Sequence, residues 1–182
     1  MTQTSHHVFE TAAGFAAIGW NESGICSFRL PAASSAAAER ALLKRFPASN
    51  CATPPVEIAP VVALACRYFA GERVDFSAAP VDLGEQEPFF ARVYAHVREL
   101  GWGETTTYGR VAKALGEGPE SARAVGQAMA NNPVPLIIPC HRVLAAGGKI
   151  GGFSAPGGST SKAHMLEMEG VATAPPQMGF GF

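Results

Sequence analysis

Residues 132–143 read Asn-Pro-Val-Pro-Leu-Ile-Ile-Pro-Cys-His-Arg-Val, and the interpretation of the rest of the chain depends on this stretch. A thiol, an imidazole and a guanidinium follow one another at Cys140, His141 and Arg142. Three prolines precede the thiol within seven residues. Each proline fixes its own φ angle and restricts the residue before it, so the segment is predicted to have a rigid shape. A reactive side chain requires rigid support of this kind.

Cys140 is therefore a candidate nucleophile. The thiolate is the reactive form of cysteine, and we expect Arg142 and a protonated His141 to lower the pKa of the thiol. The stretch Ile137–Val143 is predicted to be strand-like. Successive side chains of a strand point to opposite faces, so a Cys140–His141 pair needs either a turn of the backbone or a bridging water. The alternative interpretation is a buried cysteine that ends a core strand.

The residues before and after this stretch have helical patterns. Apolar residues recur at helical spacing from Phe89 to Leu100, and a threonine N-cap at 106 or 107 starts a short helix that ends at Leu115. A break at Gly118-Pro119 separates it from a helix of small residues over 120–129. This pattern predicts a helix-turn-helix. A last helix is predicted over 161–169.

The first half of the chain mixes strand and helix patterns. Short apolar runs over 15–20 and 25–30 flank a polar turn and predict a β-hairpin. Two helices are predicted after it, one over 36–46 with Ser34 and Ser35 as candidate N-caps, and one over 58–69. The polar breaker at 84–88 marks a boundary. We therefore expect an N-terminal domain at residues 1–85, a second domain at 86–170 and a loose tail at 171–182.

Composition excludes several classes of protein. The 182 residues are 47% hydrophobic and 16% charged with a formal net charge of −1, which excludes global disorder and a polybasic coat for nucleic acid. No apolar run reaches the roughly 18 residues of a membrane helix, and residues 1–7 lack the pattern of a secretory signal. The four cysteines show no short paired spacing. We expect a cytoplasmic protein with free thiols and no membrane partner.

The motifs between about Pro88 and Gly170 resemble those of the O6-alkylguanine-DNA alkyltransferases, the methylated-DNA–protein-cysteine S-methyltransferases. The resemblance implies an α/β N-terminal domain, ribonuclease-H-like in fold, and a mainly α C-terminal domain with a winged-helix-like helix-turn-helix that carries the active site. The motifs that carry it are Pro139-Cys140-His141-Arg142-Val143, Asn132-Pro133, Ala122-Arg123-Ala124-Val125-Gly126 and Thr107-Tyr108-Gly109.

The resemblance also implies a chemistry. An alkyl group moves from O6 of guanine, or from O4 of thymine, to Cys140 in a single irreversible turnover that needs no cofactor and no metal. His141 draws the thiol proton through a water, Glu169 orients His141, and Asn132 joins the recognition helix to the active-site segment. The nearby Glu167 is a rival to Glu169. The expected partner is double-stranded DNA that bears an O6-alkylguanine, bound by a monomer.

The target base must leave the duplex, and the resemblance assigns the residues that contact DNA. Arg123 fills the gap that the base leaves, and Tyr108 pushes on the phosphate of the flipped nucleotide. The alternatives are a solvent-facing arginine and an aromatic ring packed over a helix start. The other residues predicted to contact DNA are Ala122, Ala124, Gly126 and Arg142.

A pocket for the alkylated base is implied as well. Phe153 stands where relatives mostly have tyrosine, and the lost hydroxyl would be worth about 10²–10³ in rate if it donated to the leaving guanine. Ser154 or a backbone amide is the expected substitute donor, and Ala155-Pro156 lengthens the loop. The residues predicted to line the pocket are Met129, Pro135, Val143, Phe153 and Ser154.

Two other functions remain open from the residues. One is a lesion-binding module that does not transfer the alkyl group, although such relatives lack the cysteine. The other is a cysteine hydrolase, which needs Cys140 and His141 but neither Arg123 nor a helix-turn-helix.

Overall fold

The computed structural model describes residues 2–151 and 158–173. The predictions for Phe153, Ser154 and Ala155-Pro156, and most of the tail, lie outside these residues. The first half contains three long strands, one short strand and two helices. Their bounds are β1 Ser5–Thr11, β2 Gly14–Asn21, β3 Gly24–Ala32, α1 Ser35–Leu43, β4 Asn50–Cys51 and α2 Ala59–Phe69.

The N-terminal sheet has the strand order β3-β2-β1-β4. β1, β2 and β3 pair in antiparallel fashion, and β4 pairs in parallel with β1. The predicted hairpin is confirmed as β2–β3, and its turn closes where Asn21 pairs with Gly24. Gly24 has φ +147°, and a Cβ there would come within 3.0 Å of the Pro80 backbone. Glycine is therefore required where the turn meets the next segment.

The two helices of this half pack on opposite faces of the sheet. Ala38 and Leu42 of α1 cluster with Ala17 of β2. Ile18, the next residue of β2, belongs to the large cluster that also holds residues of α2. Neighbouring residues of a strand face opposite sides, which explains the division. The Ser34 side chain caps α1 as predicted, and α1 ends three residues before the predicted Phe46.

The second half is mainly helical. The helices predicted around 89–100 and 107–115 are confirmed, and the Thr107 side chain caps the second of them. The helix predicted at 120–129 begins as a 3-10 turn over Pro119–Ser121 before it becomes α-helical. The bounds are α3 Pro88–Arg98, β5 Thr106–Thr107, α4 Tyr108–Ala114, α5 Ala122–Ala130, β6 Val143–Leu144 and α6 Gly158–Met168.

The two halves share one hydrophobic core. The same cluster of buried residues contains Phe9 and Phe28 of the sheet, Tyr68 of α2, and Val97 and Val125 of the second half. The backbone also crosses the boundary, because the Phe28 amide donates to the Pro133 carbonyl at 3.0 Å. The N-terminal sheet thus supports the segment that carries Cys140.

The prediction of a strand over 137–143 is wrong. Residues Cys140–Arg142 form a 3-10 turn, and only Val143–Leu144 pair as a strand, in parallel with Thr106–Thr107. The prolines at 133, 135 and 139 explain the difference, because a proline has no N–H group to donate to a β-ladder. None of the helices in the described parts of the chain is long and apolar enough to cross a membrane.

Candidate active site around Cys140

Asn132 holds the segment that leads to Cys140. Its Nδ2 donates to the Ile138 carbonyl at 2.8 Å, and its Oδ1 accepts from the Val134 amide at 3.0 Å. The bond to Ile138 closes a loop in which Leu136 adopts φ 76°, a left-handed conformation that is costly for a residue with a branched side chain. Such strain persists only where the surroundings impose it. The loop therefore delivers Cys140 at a defined position.

His141 and Glu169 form a fully buried pair. Nε2 of His141 and Oε2 of Glu169 are 2.5 Å apart, and both side chains are inaccessible to solvent. Nδ1 of His141 is buried and has no hydrogen-bond partner within residues 2–151 and 158–173. The network assigns the ring proton to Nε2, since Glu169 accepts there. Nδ1 is then an unprotonated nitrogen that can take up a proton.

Glu169 accepts four hydrogen bonds from the described part of the chain. Besides His141, the donors are the Tyr68 hydroxyl at 2.6 Å, Nε of Arg142 at 2.7 Å and the Gly103 amide at 3.1 Å. Burial opposes ionisation, but the bonds from His141, Arg142 and Tyr68 outweigh it and lower the pKa of the carboxyl to about 2. Glu169 is therefore ionised at neutral pH. The rival Glu167 is exposed.

His141 is neutral in this setting. Burial lowers the pKa of the imidazole, and Glu169 only partly offsets this effect. A neutral imidazole beside an ionised carboxylate is the resting state of a general base.

Cys140 is a buried thiol rather than a resting thiolate. Its residue is 4% exposed, and burial raises the pKa of the thiol against the opposing effects of the Asn132 side chain and the charge of Lys162. The expectation that Arg142 and a protonated His141 lower this pKa is wrong, because burial dominates and His141 is neutral. The thiol therefore needs a base to become reactive.

Lys162 is a site residue that the sequence analysis missed. It is buried, its Nζ donates to the Val143 carbonyl at 2.7 Å, and it lies 5.8 Å from the centre of the Tyr108 ring. Burial lowers the pKa of the amine to about 8. A signal existed, because Lys162 precedes the buried Met165 and Leu166 by three and four residues and so shares the inward face of α6.

Tyr68 is the second residue that was missed. It lies at the end of α2, where the helical apolar spacing identified it only as a core residue. The structure brings its hydroxyl to Glu169, 101 residues further along the chain. No local pattern reports a contact of that separation.

A cavity of about 630 Å³ adjoins Cys140. Two of the predicted pocket residues, Met129 and Pro135, line it together with Asn132. The opposite wall comes from the first half of the chain and includes Arg29 of β3 and Ala37 of α1. The cavity gives an outside group a route to the sulfur. Val143, also predicted to line the pocket, is not among the described residues around this cavity, and its carbonyl accepts a hydrogen bond from Lys162 and keeps a second lone pair.

The predicted DNA-contacting residues fall into two groups. Arg123 is exposed on α5 and has no charged partner among the described residues, and Tyr108 is half-buried at the start of α4. Ala122, Ala124 and Gly126 lie half-buried on α5. A Cβ at Gly126 would meet nothing within 4 Å, so packing within the described chain does not require a glycine there.

Arg142 falls in the second group. Its side chain is buried and donates to Glu169 and, at 2.6 Å, to the Leu100 carbonyl. The prediction that Arg142 contacts DNA does not agree with this inward placement, because Nε and Nη1 of its guanidinium both donate to groups inside the protein. No described group of three histidine, cysteine, aspartate or glutamate side chains is arranged to hold a metal ion.

Comparisons with known proteins agree with this geometry. The sequence profile described as 6-O-methylguanine DNA methyltransferase, DNA binding domain, matches residues 88–171. A methylated-DNA–protein-cysteine methyltransferase of Metallosphaera sedula is 47% identical over 103 residues, which are 57% of this chain and 62% of that protein. Its counterpart from Methanothermobacter thermautotrophicus is 38% identical over 124 residues, 68% of each protein.

Solved structures extend the similarity to both halves. The crystal structure of the Mycobacterium tuberculosis protein OGT in complex with DNA superposes with a TM-score of 0.71 at 29% identity, covering 91% of this chain and 92% of that one. The fold of a mixed sheet and surrounding helices is therefore shared over nearly the whole chain.

Proposed function

Because this chain belongs to the family of methylated-DNA–protein-cysteine methyltransferases, we propose that it repairs DNA by taking an alkyl group from O6 of guanine, or O4 of thymine, onto Cys140. The proposal rests on the buried pair of His141 and Glu169. His141 directly follows Cys140, and the Cys140 thiol adjoins a cavity. The pair supplies an oriented base, and the cavity admits the group to be attacked.

The proposed reaction begins with removal of the thiol proton. No hydrogen bond joins the Cys140 thiol to the ring of His141 within the described residues, so a water carries the proton from Sγ to Nδ1 of His141. Glu169 accepts the bond from Nε2 throughout and stabilises the imidazolium that forms. Lys162 adds a positive charge that favours the thiolate.

The thiolate then attacks the alkyl carbon. The S–C bond forms as the C–O bond breaks, the electron pair stays on O6, and the guanine takes up a proton in place of the one that Cys140 lost. The product is a thioether, which thiol exchange does not reverse. The protein therefore acts once and needs no cofactor.

DNA is proposed to bind across α4 and α5. The small residues Ala122, Ala124 and Gly126 allow the helix to approach the duplex closely, and Arg123 enters the stack as the damaged base leaves it. Flipping costs a few kcal/mol, which this replacement offsets. Tyr108 contacts the phosphate of the flipped nucleotide. Exposed cations on these helices are few, so few phosphates are neutralised, and we expect a modest DNA affinity that falls only gently with salt.

The finer architecture belongs to the same proposal. Residues 1–85 are proposed to form a ribonuclease-H-like unit and residues 86–170 a winged helix-turn-helix, followed by a loose tail. The protein acts as a monomer on DNA in the cytosol. Phe153, Ser154 and the Val143 carbonyl are proposed to complete the pocket that Met129 and Pro135 begin.

The test is incubation with a duplex that contains one O6-methylguanine, followed by peptide mass spectrometry. We expect one methyl group on the peptide that contains Cys140 and none after Cys140→Ala, while DNA binding persists in the variant. Cys51→Ala is the matched control, because Cys51 is an exposed cysteine distant in sequence from the motif. We expect this variant to accept the methyl group on Cys140 as the wild type does. Lesion DNA that binds tightly and keeps its methyl group would support the lesion-binding alternative and end this proposal.

A further inference from the structure

Tyr68 connects the first half of the chain to the buried pair. It is fully buried, and its hydroxyl donates to Oε2 of Glu169 at 2.6 Å. Its ring packs edge-to-face against His141, at 6.2 Å between ring centres, and against Trp102 at 5.6 Å. The ring and the hydroxyl thus contact both members of the pair. Tyr68 lies outside the segment that the family profile matches.

The donors around Glu169 are divided between its two oxygens. Oε1 accepts from Arg142 and Gly103, and Oε2 accepts from His141 and Tyr68. The Tyr68 oxygen also lies 3.4 Å from Nε2 of His141. Two donors therefore compete for the electron density of the single oxygen that attracts the His141 proton.

Tyr68 can act only as a donor. Burial, followed by the charge of Glu169, raises the pKa of its hydroxyl far above the ordinary value, so the phenol keeps its proton at any working pH. The other charged or titratable groups that face Glu169 and His141 are Arg142, Lys162 and Cys140. Arg142 and Lys162 both belong to the second half. Among the described residues, Tyr68 is the one donor to Glu169 that comes from the first half.

We propose that Tyr68 is a positioning residue for alkyl transfer: it fixes the Glu169 carboxylate and limits its pull on the His141 proton, so that Nδ1 of His141 stays available as the base. This inference rests on the proposed function. It makes the N-terminal half part of the active site, since three of the four described donors come from the second half of the chain and the fourth, Tyr68, comes from α2.

The full-length Tyr68→Phe variant tests the inference. The ring stays and one donor disappears, so Oε2 pulls harder on His141 and the carboxylate loses one of its restraints. We expect the plateau rate of methyl transfer to fall about tenfold, the net effect of losing one hydrogen bond to a charged group. We also expect the acid limb of the pH–rate profile to move to higher pH. Coincidence with the wild-type profile in both features would overturn the inference.

Tyr94→Phe is the matched control. Tyr94 is also buried and also loses one hydrogen bond, to the Ala128 carbonyl at 2.8 Å, but it does not contact Glu169. Its pH–rate profile should match the wild type. A Tyr68→Phe change no larger than that of Tyr94→Phe assigns Tyr68 a merely structural role and overturns the inference.

Two further measurements keep the test decisive. If Tyr68→Phe does not fold, a fluorinated tyrosine placed at position 68 keeps the ring and strengthens the donor, so the acid limb must move in the opposite direction, to lower pH. The pH dependence of Cys140 alkylation by iodoacetamide, followed by peptide mapping, needs no DNA. Suppose that the acid limb of the alkylation profile moves in the Tyr68 variant but wild-type protein does not demethylate DNA. This result would contradict the proposed function and support the role of Tyr68. Normal repair by wild-type protein, with an acid limb that does not move in the Tyr68 variant, would support the proposed function and contradict the role of Tyr68.

Discussion

Each half of the molecule buries one histidine against one glutamate, and the two pairs differ first in the partners of the histidine ring. In the first half, Nε2 of His6 lies 3.0 Å from Glu39 and Nδ1 lies 2.9 Å from the Ser49 hydroxyl, so both ring nitrogens have partners. In the second half, His141 has Glu169 on Nε2 and nothing described on Nδ1. A histidine whose two ring nitrogens are both hydrogen-bonded connects parts of the fold, whereas a histidine with one unbonded ring nitrogen can also accept or donate a proton.

The glutamates differ as well. The Glu39 side chain is 43% exposed, and Glu169 is completely buried among four donors. Solvent screens the first pair, so its net contribution to folding is small. The second pair is unscreened and depends on its donors. The predictions below test whether this contrast divides structural from chemical roles.

The largest effect is expected at the two histidines. His141→Ala removes the base and should slow methyl transfer by about 10²–10⁴-fold, the usual contribution of a positioned general base. His6→Ala should leave the transfer rate unchanged, because His6 is bonded to Ser49 and Glu39 in another part of the fold. Single-turnover assays on O6-methylguanine duplex measure both rates. Equal losses in the two variants would contradict the division of roles.

Replacing the glutamates separates the pairs by stability. Glu169→Gln leaves the buried Arg142 guanidinium without its charge partner and should lower the free energy of unfolding by about 3–5 kcal/mol. Glu39→Gln removes a half-exposed charge and should cost less than about 1 kcal/mol. Urea unfolding of both variants gives the comparison. A tolerant Glu169→Gln would show that the four donors do not need an ionised acceptor.

Acid should unfold the protein through the second pair. The pKa of Glu169 is about 2 in the folded state against an ordinary 4.5, so its contribution is complete above pH 4.5 and disappears as the pH falls towards 2. That loss is about 3 kcal/mol. The lowered pKa of His141 acts in the same direction and begins near pH 6.5. Denaturant unfolding at a series of pH values should show the free energy of unfolding falling as the pH falls. Glu169→Gln should remove the part of this fall that lies below pH 4.5.

The smallest effect is expected when the first pair is made to resemble the second. Ser49→Ala frees Nδ1 of His6 and should cost about 1 kcal/mol, the usual net value of one hydrogen bond. Methyl transfer should stay at the wild-type rate, since a free nitrogen has chemical value only beside a thiol and a cavity. A changed transfer rate would mean that the halves are coupled through α1.

Much of the site could be predicted from residues 132–143 and the motifs around them. Cys140, His141 and Glu169 do come together, and Asn132 does bond to the segment before Cys140. Local signals also located the hairpin and the caps at Ser34 and Thr107. These features depend on neighbours within a few residues, so the sequence displays them directly.

The errors share a physical cause. The backbone around Cys140 turns instead of extending, Arg142 points inward to Glu169, and burial reverses the expected change in the pKa of the thiol. Each of these depends on which groups from distant segments surround the residue. Charge and spacing along the chain do not describe that environment.

The sequence identifies which atoms are available for chemistry: a thiol, an imidazole and a carboxylate, with prolines that shape the segment before the thiol. Tertiary structure alone decided their state, because Tyr68, Gly103 and Lys162 reach the site from three other places in the fold. Hydrogen bonds and desolvation act through space over a few ångströms. Separation along the chain does not predict these effects. Together they keep Glu169 ionised, His141 neutral and Cys140 a protonated thiol that needs His141 to remove its proton.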